Sequence, residues 1–323
     1  MLPAKPVCML GSKRWAKIGM TAAALIGLDW GTTSFRAYRI DAEGRVIETR
    51  EAPAGILAVR DGDFAGVLER EIGPWLAAEL EVPMIASGMI TSRQGWLEVP
   101  YCPCPASSAA IAGALMRHPD RNTLHFVPGL SLIGEDGVPD VIRGEETQIL
   151  GEIGDRPGRH LLVLPGTHSK WAQAIDGVIT WFATFMTGEV FGALKQHSIL
   201  GRLMRGEMDD PAAFERGLAY ARSGRGGLLK RLFSARTLGL FDLLPEPALA
   251  PYLSGLLIGS EIEEALDCLG IATDTEIRVI GGSQLAWRYR SALAARNLRV
   301  RPASEDASAK GQFLIARAAG LIR

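Results

Sequence analysis

The segment IGLDWGTTSF, residues 26–35, decides the fold. An apolar run ends on an acid, Asp29, and passes at once into Gly31-Thr32-Thr33-Ser34, a turn built of small hydroxyl residues. FRAYRI follows with alternating character and reads as a second strand, and after the turn at Asp41 to Gly44 RVIETR reads as a third. The same order of parts returns much later in the chain: LLVL, the turn PGTHS, KWAQAI, the Asp176-Gly177 turn, then VITWFATF. One such turn makes an ordinary hairpin. Two of them, in matching meanders, predict two related α/β domains that face each other.

The turns have a physical use. Glycine lets the main chain approach a ligand closely. Successive N–H groups in such a turn form an anion-binding concavity, and Thr and Ser hydroxyls add donors. Gly31, Thr32 and Thr33 in the first turn, and Gly166, Thr167 and Ser169 in the second, are therefore candidate phosphate-binding residues, with His168 and Lys170 beside them as further donors or charge. A third element, IRVIGGSQLAW, reads as a strand, a Gly281-Gly282 turn and a helix starting near Ser283. A helix N-terminus behind two glycines suits the ribose or phosphates of a nucleotide. The chain has no GxxxxGK[ST] and no GxGxxG after a strand, so P-loop and Rossmann sites are excluded; HRD, DFG and GxSxG are absent as well.

At 323 residues the chain suits two domains of ordinary size. Hydrophobic residues at 47% and charged residues at 22% match a globular protein. A formal charge of −1 argues against a nucleic-acid partner, which needs a basic footprint. The four cysteines, Cys8, Cys102, Cys104 and Cys268, form no disulfide framework, and the cytoplasm is the expected compartment. The leader is basic at Lys5, Lys13, Arg14 and Lys17, but its apolar patch runs into Asp29 and falls short of the roughly 18–20 residues of a membrane span. Residues 1–19 read as a disordered extension, or as an artefact of start-codon choice with Met20 the true start.

The three glycine-bearing turns, in this order, resemble the two phosphate motifs and the adenosine motif of the actin–hexokinase–Hsp70 superfamily. ASAKGQFLIARAAGLI, residues 307–322, resembles the final helix of glycerol-kinase-like sugar kinases. More narrowly, DWGTTSFRAY, SGMITSRQGWLEVPY, DVIRGEETQILGE, LPGTHSKWA and FMTGEVF together resemble the 2-dehydro-3-deoxygalactonokinase family. The resemblance implies two ribonuclease-H-like (actin-like ATPase) domains with ATP in the cleft between them. Residues 20–142 would form the first domain and 143–323 the second, with a crossing helix over 143–151 and the last helix crossing back. It also implies ATP and Mg²⁺ as cofactors, and a sugar acid, 2-dehydro-3-deoxy-D-galactonate, as the small-molecule substrate phosphorylated on its terminal hydroxyl. No membrane or nucleic-acid partner is implied, and a homodimer is left open.

The family's aspartate that organises Mg²⁺ corresponds to Asp29. Its catalytic aspartate, which lies just before the second phosphate motif, corresponds best to Glu145 in the run Gly144-Glu145-Glu146-Thr147-Gln148, with Glu146 as the alternative. The same two acids would also complement a helix dipole. An anionic substrate needs cations: Arg93 is placed to meet a carboxylate bidentately. Gln94, Trp96 and Glu98 offer a sugar platform and hydroxyl contacts, and Arg36 and Arg143 are reserves. Two other readings stay open, a kinase for another sugar or sugar acid such as 2-dehydro-3-deoxygluconate, and a non-catalytic ATP-binding regulator.

Overall fold

The chain's first strand, β1 (Leu25–Trp30), pairs antiparallel with β2 (Phe35–Ile40), from Leu25↔Ile40 to Trp30↔Phe35, and β2 pairs antiparallel with β3 (Val46–Ala52). After helix α1 (Phe64–Ala78) the chain returns as β4 (Met84–Ser87), parallel to β1. An excursion through β5 (Cys102–Pro103), β6 (Ala106–Ser107), α2 (Ser108–Gly113) and β7 (Met116–Arg117) precedes β8 (Leu124–Phe126), parallel to β4. The first six-stranded sheet runs β3-β2-β1-β4-β8-β7. A small sheet joins β5 to β9 (Leu130–Ile133) and β10 (Pro139–Ile142). This computed structural model describes residues 22–206, 208–223, 226–270, 275–281 and 283–322. The extension at residues 1–19 and the candidate Gly282 lie outside the described residues.

Helix α3 (Glu145–Ile153) carries the chain across, and the second half repeats the first. β11 (Arg159–Leu164), β12 (Ser169–Ile175) and β13 (Val178–Phe185) form the second antiparallel meander. Helices α4 (Thr187–His197), α5 (Pro211–Ser223), α6 (Leu228–Leu232), α7 (Ser234–Leu240) and α8 (Leu249–Leu269) then intervene. β14 (Glu276–Val279) lies parallel to β11; α9 (Ser283–Ala294) leads to β15 (Arg299–Pro302), parallel to β14, and α10 (Ala307–Ala318) follows. The second sheet runs β15-β14-β11-β12-β13-β6. Apart from the edge strands β7 and β6, both sheets are one arrangement: a three-stranded meander extended by two parallel strands from the meander's first member. These are two ribonuclease-H-like α/β units. The strand β6, which comes before residue 143, pairs with β13, so a cut between 142 and 143 divides the chain more cleanly than it divides the sheets.

Successive side chains of a strand point to opposite faces, and because both faces are covered β1 and β11 are buried over most of their length. On β1, Ile26, Leu28 and Trp30 pack with α1 residues such as Phe64 and Leu68, whereas Leu25 joins the core shared with α3 and α10. On β11, Leu161 and Val163 pack with Ile258 and Ile262 of α8, whereas Leu162 and Leu164 join the shared core. That shared core holds Ile149, Leu150 and Ile153 of α3 together with Ala309, Phe313, Ile315 and Ala316 of α10. The two helices thus fill the space between the sheets.

Their crossing depends on two glycines. A Cβ on Gly151 would overlap the Ala307 carbonyl oxygen, and one on Gly311 would overlap the Thr147 carbonyl oxygen. Gly311→Val should therefore force the helices apart, with an overpacking cost of about 1–3 kcal/mol or more. Denaturant unfolding of the purified variant measures this, and a stability equal to that of the parent would contradict so close an approach.

Candidate active site

Asp29 stands at the end of β1, partly exposed on the face toward α10, where the Ser308 hydroxyl donates to its Oδ2 at 2.9 Å. Burial raises its carboxyl above the ordinary range; the Ser308 hydrogen bond and the Arg36 charge oppose this, and the Glu145 charge adds to it. The turn that follows is closed by the Gly31 N–H, which donates to the Ser34 carbonyl at 2.9 Å. Gly31 therefore shapes the turn and does not present its own N–H. Thr32 and Thr33 are exposed, and their hydroxyls make no hydrogen bond among the described residues.

The second turn is held from α4 and α3. The Glu189 N–H donates to the Thr167 carbonyl at 2.9 Å, and the Glu189 carboxylate pairs with His168 Nε2. Thr167 and His168 are exposed at the tip, beside Gly166. Ser169 is a correction to the sequence reading: it is fully buried, and its hydroxyl is committed to Glu261 Oε1 at 2.7 Å. Lys170 is buried too. Its ammonium donates to the His168 carbonyl at 2.8 Å and pairs with Glu145 Oε1 at 3.2 Å.

The Glu145 carboxylate is held at both oxygens. While Oε1 meets Lys170, Oε2 accepts the Arg143 N–H at 2.8 Å. Glu146 is turned inward and fully buried; its Oε2 accepts the Gly144 N–H at 2.7 Å, and its Oε1 has no hydrogen-bond partner among the described residues. Burial, helped by the neighbouring Glu145 charge, pushes its carboxyl up to about 8. Both acids accept N–H groups just ahead of α3, the end of a helix that favours negative charge. The junction with Asp29 is tight: Gly144, at φ +105°, would place a Cβ 3.0 Å from the Gly88 Cα. Gly88, at φ +93°, would in turn place one 2.8 Å from the Trp30 carbonyl oxygen and 3.5 Å from Asp29 Oδ1. Only glycine serves at either place.

A cavity of about 640 Å³ opens alongside, lined by Arg36, Gln148, Gly281, Arg290, Asp306 and Ser308 among others. Gly281 thus borders the cavity that Ser308, the partner of Asp29, also lines. Arg36 also lines this cavity, 3.2 Å from Glu51. Among the described residues no cluster of three or more His, Cys, Asp or Glu side chains could hold a metal ion.

The loop after β4 carries Arg93, Gln94 and Glu98, all exposed, and the Arg93 guanidinium has no partner among the described residues. Trp96 is drawn into the first domain's core, stacked on Phe64 at 6.0 Å and edge-on to His118 at 4.9 Å, so its ring serves packing. Arg143 is a second correction. Its Nη1 donates to Thr91 Oγ1 at 2.6 Å, its Nη2 donates to the Val99 carbonyl at 3.0 Å, and it lies over the Tyr101 ring at 4.3 Å. The guanidinium clamps the loop that bears Arg93 and is not free for a ligand.

Comparison with known proteins bears on this arrangement. A profile of the 2-keto-3-deoxy-galactonokinase family matches residues 29–315. A Rhizobium meliloti (strain 1021) protein with the provisional name 2-dehydro-3-deoxygalactonokinase is 35% identical over 292 residues, covering 88% of this chain and 94% of its own. The Escherichia coli (strain K12) protein named 2-dehydro-3-deoxygalactonokinase is 33% identical over 284 residues, with the same 88% and 94% coverage. A crystal structure from Sinorhizobium meliloti, under the same provisional name, superposes with a TM-score of 0.83 at 34% identity, covering 91% of this chain and 98% of that one.

Sequence reading missed Ser308 and Glu261, each of which contacts a residue of the turns. It also left Glu146 as a mere alternative, although its titration leaves a measurable trace. An acid whose folded pKa lies near 8, above its ordinary 4.5, keeps a proton that the unfolded chain releases. Glu146 thus stabilises the fold most below pH 4.5 and loses that contribution as pH rises toward about 8, at up to about 1.4 kcal/mol per pH unit. Glu146→Gln should flatten the pH dependence of the unfolding temperature across this window. A variant curve parallel to the parent's would contradict the assignment.

Proposed function

The chain belongs to the 2-keto-3-deoxy-galactonokinase family, and on that premise we propose that it transfers the terminal phosphoryl group of ATP to the terminal hydroxyl of 2-dehydro-3-deoxy-D-galactonate, giving the 6-phosphate, a step of D-galactonate catabolism. The observation that carries this reading to particular residues is the pair of hydroxyl-bearing turns on duplicated meanders, with Glu145 between them.

Phosphoryl transfer asks mainly for positioning and charge neutralisation. The free hydroxyls of Thr32, Thr33 and Thr167 hold phosphate oxygens, and Gly166 and His168 complete the second grip. Gly281 and the start of α9 border the space for the adenosine. Lys170 holds Glu145 in place, and Glu145 takes the proton of the acceptor hydroxyl as it attacks. Arg93 receives the substrate carboxylate in a bidentate pair, and Gln94 and Glu98 read its hydroxyls. Asp29 fits a magnesium ion: it is a hard oxygen donor at the junction, and Mg²⁺ binds through one or two carboxylates plus substrate phosphates and retained waters. When bound, the ion supplies charge neutralisation across the phosphate oxygens. Closure of the two domains would exclude water from the transfer.

No helix among the described residues is long and apolar enough to cross a membrane. The described cysteines, Cys102, Cys104 and Cys268, are free, which supports a reducing compartment, the cytoplasm. The partner is a small sugar acid.

Glu145→Gln should lower kcat by about 10²–10⁴-fold, the range for a lost general base, while the KM for ATP changes little. A coupled ADP assay measures both, and a variant with parental kcat would remove Glu145 from the chemistry. In the same assay Arg93→Ala should raise the KM for the sugar acid, and the parent should prefer 2-keto-3-deoxy acids to glycerol. Comparable rates on neutral polyols would refute the carboxylate clamp.

A further inference from the structure

Glu261 lies in α8, between apolar turns, and is 3% exposed. A buried carboxylate needs a cation or a full set of donors. Among the described residues no Lys, Arg or His pairs with it. Its Oε1 accepts the Ser169 hydroxyl at 2.7 Å and the Trp171 indole N–H at 2.8 Å, and its Oε2 accepts the Tyr289 hydroxyl at 2.5 Å. The Thr187 side chain lies near enough to favour its charged form. Burial raises the Glu261 carboxyl and these hydrogen bonds oppose the rise; burial and the Glu261 charge together keep Tyr289 neutral, as a donor.

The groups around Glu261 come from different elements of the second domain. Ser169 is the residue on which the second turn ends. Thr187 opens α4, and the next two residues of α4 brace that turn: a Cβ on Gly188 would overlap the Gly166 carbonyl oxygen, and the Glu189 N–H bonds Thr167. Tyr289 belongs to α9, the helix behind Gly281. The two turns themselves are neighbours, since a Cβ on Gly281 would lie 3.9 Å from Pro165. The loop bearing Arg93 has no part in this hub; it is held by Arg143 in the first half of the molecule.

We propose that Glu261 is a positioning residue for the nucleotide, fixing the second phosphate turn, the start of α4 and helix α9 at one spacing and so setting affinity for ATP and not for the sugar acid. The proposal rests on the reading of the turns at residues 165–168 and at Gly281 as grips on the nucleotide. Four variants test it: Glu261→Leu, Glu261→Gln, Tyr289→Phe and, at the turn itself, Thr167→Val. The readouts are the two KM values, kcat, ADP binding by calorimetry and thermal unfolding.

Glu261→Leu should raise the KM for ATP by about tenfold or more and weaken ADP binding in step, with the KM for the sugar acid within about twofold of the parent. Glu261→Gln, which keeps an acceptor oxygen for Ser169 and Trp171, should recover part of the loss, and Tyr289→Phe should show a smaller increase in the same KM. If Glu261→Leu does not fold, the Gln and Phe variants carry the test by the same split. Folded variants with parental ATP affinity, or with both KM values raised alike, would overturn the role of Glu261 alone. A parent chain that binds no ADP, or a Thr167→Val variant without effect beside damaged Glu261 variants, would overturn the nucleotide reading of the turns as well.

Discussion

The geometry of the cleft depends on one contact between helices. Where α3 crosses α10, Gly151 lies against the backbone of Ala307, and Gly311 lies against that of Thr147. No side chain separates the two axes, so the register of one helix dictates that of the other. From α10, two polar residues one turn apart reach the first sheet: Ser308 bonds Asp29, and Gln312 Nε2 donates to the Leu28 carbonyl at 2.8 Å and meets Ser87 Oγ at 2.9 Å. From α3, the first turn delivers Glu145 to Lys170 on the second sheet. One apolar helix crossing therefore places an acid of the first domain and an acid–base pair of the second at a common junction.

That junction gathers charge that would repel itself if left bare. Asp29 and Glu145 are close enough for the Glu145 charge to raise the Asp29 carboxyl. Each is answered separately, Asp29 by Ser308 and Arg36, Glu145 by Lys170 and the Arg143 N–H. Glu146 makes no ion pair among the described residues, and burial drives it toward the neutral form against the weaker pull of the Arg143 charge.

Much of this was legible in the chain, because duplicated strand–turn–strand patterns with glycine and small hydroxyl residues have few other uses. The fold followed from those patterns. What stayed hidden was the direction in which side chains point. Ser169 sits beside the second turn, yet on a strand it shares a face with Trp171, and both turn toward Glu261; the residue facing the cleft is Lys170. Period-two alternation would have given that answer. Trp96 and Arg143 were read as ligands because nothing in their neighbourhood reveals the Phe64 and His118 rings or the Thr91 and Val99 acceptors, which come from elsewhere in the sequence. Glu261 did leave a signal, a single acid within the apolar run LLIGSEI, since an acid there must find donors.

Arg143 links the two ends of the reaction more directly than any ligand-facing residue. Its guanidinium holds Thr91 and Val99, the frame of the loop that presents Arg93, and its own N–H holds the Glu145 carboxylate. The loop that would bind the substrate's carboxylate and the group that would take the proton from its far hydroxyl are thus fixed to one residue. A sugar acid has its anionic end and its reacting hydroxyl at opposite ends of a short chain, so the distance between their two protein partners decides which length of substrate fits. That distance is spanned by a single side chain and its own peptide. On the proposed roles of Arg93 and Glu145, the segment between β10 and α3 would set the length of substrate that fits.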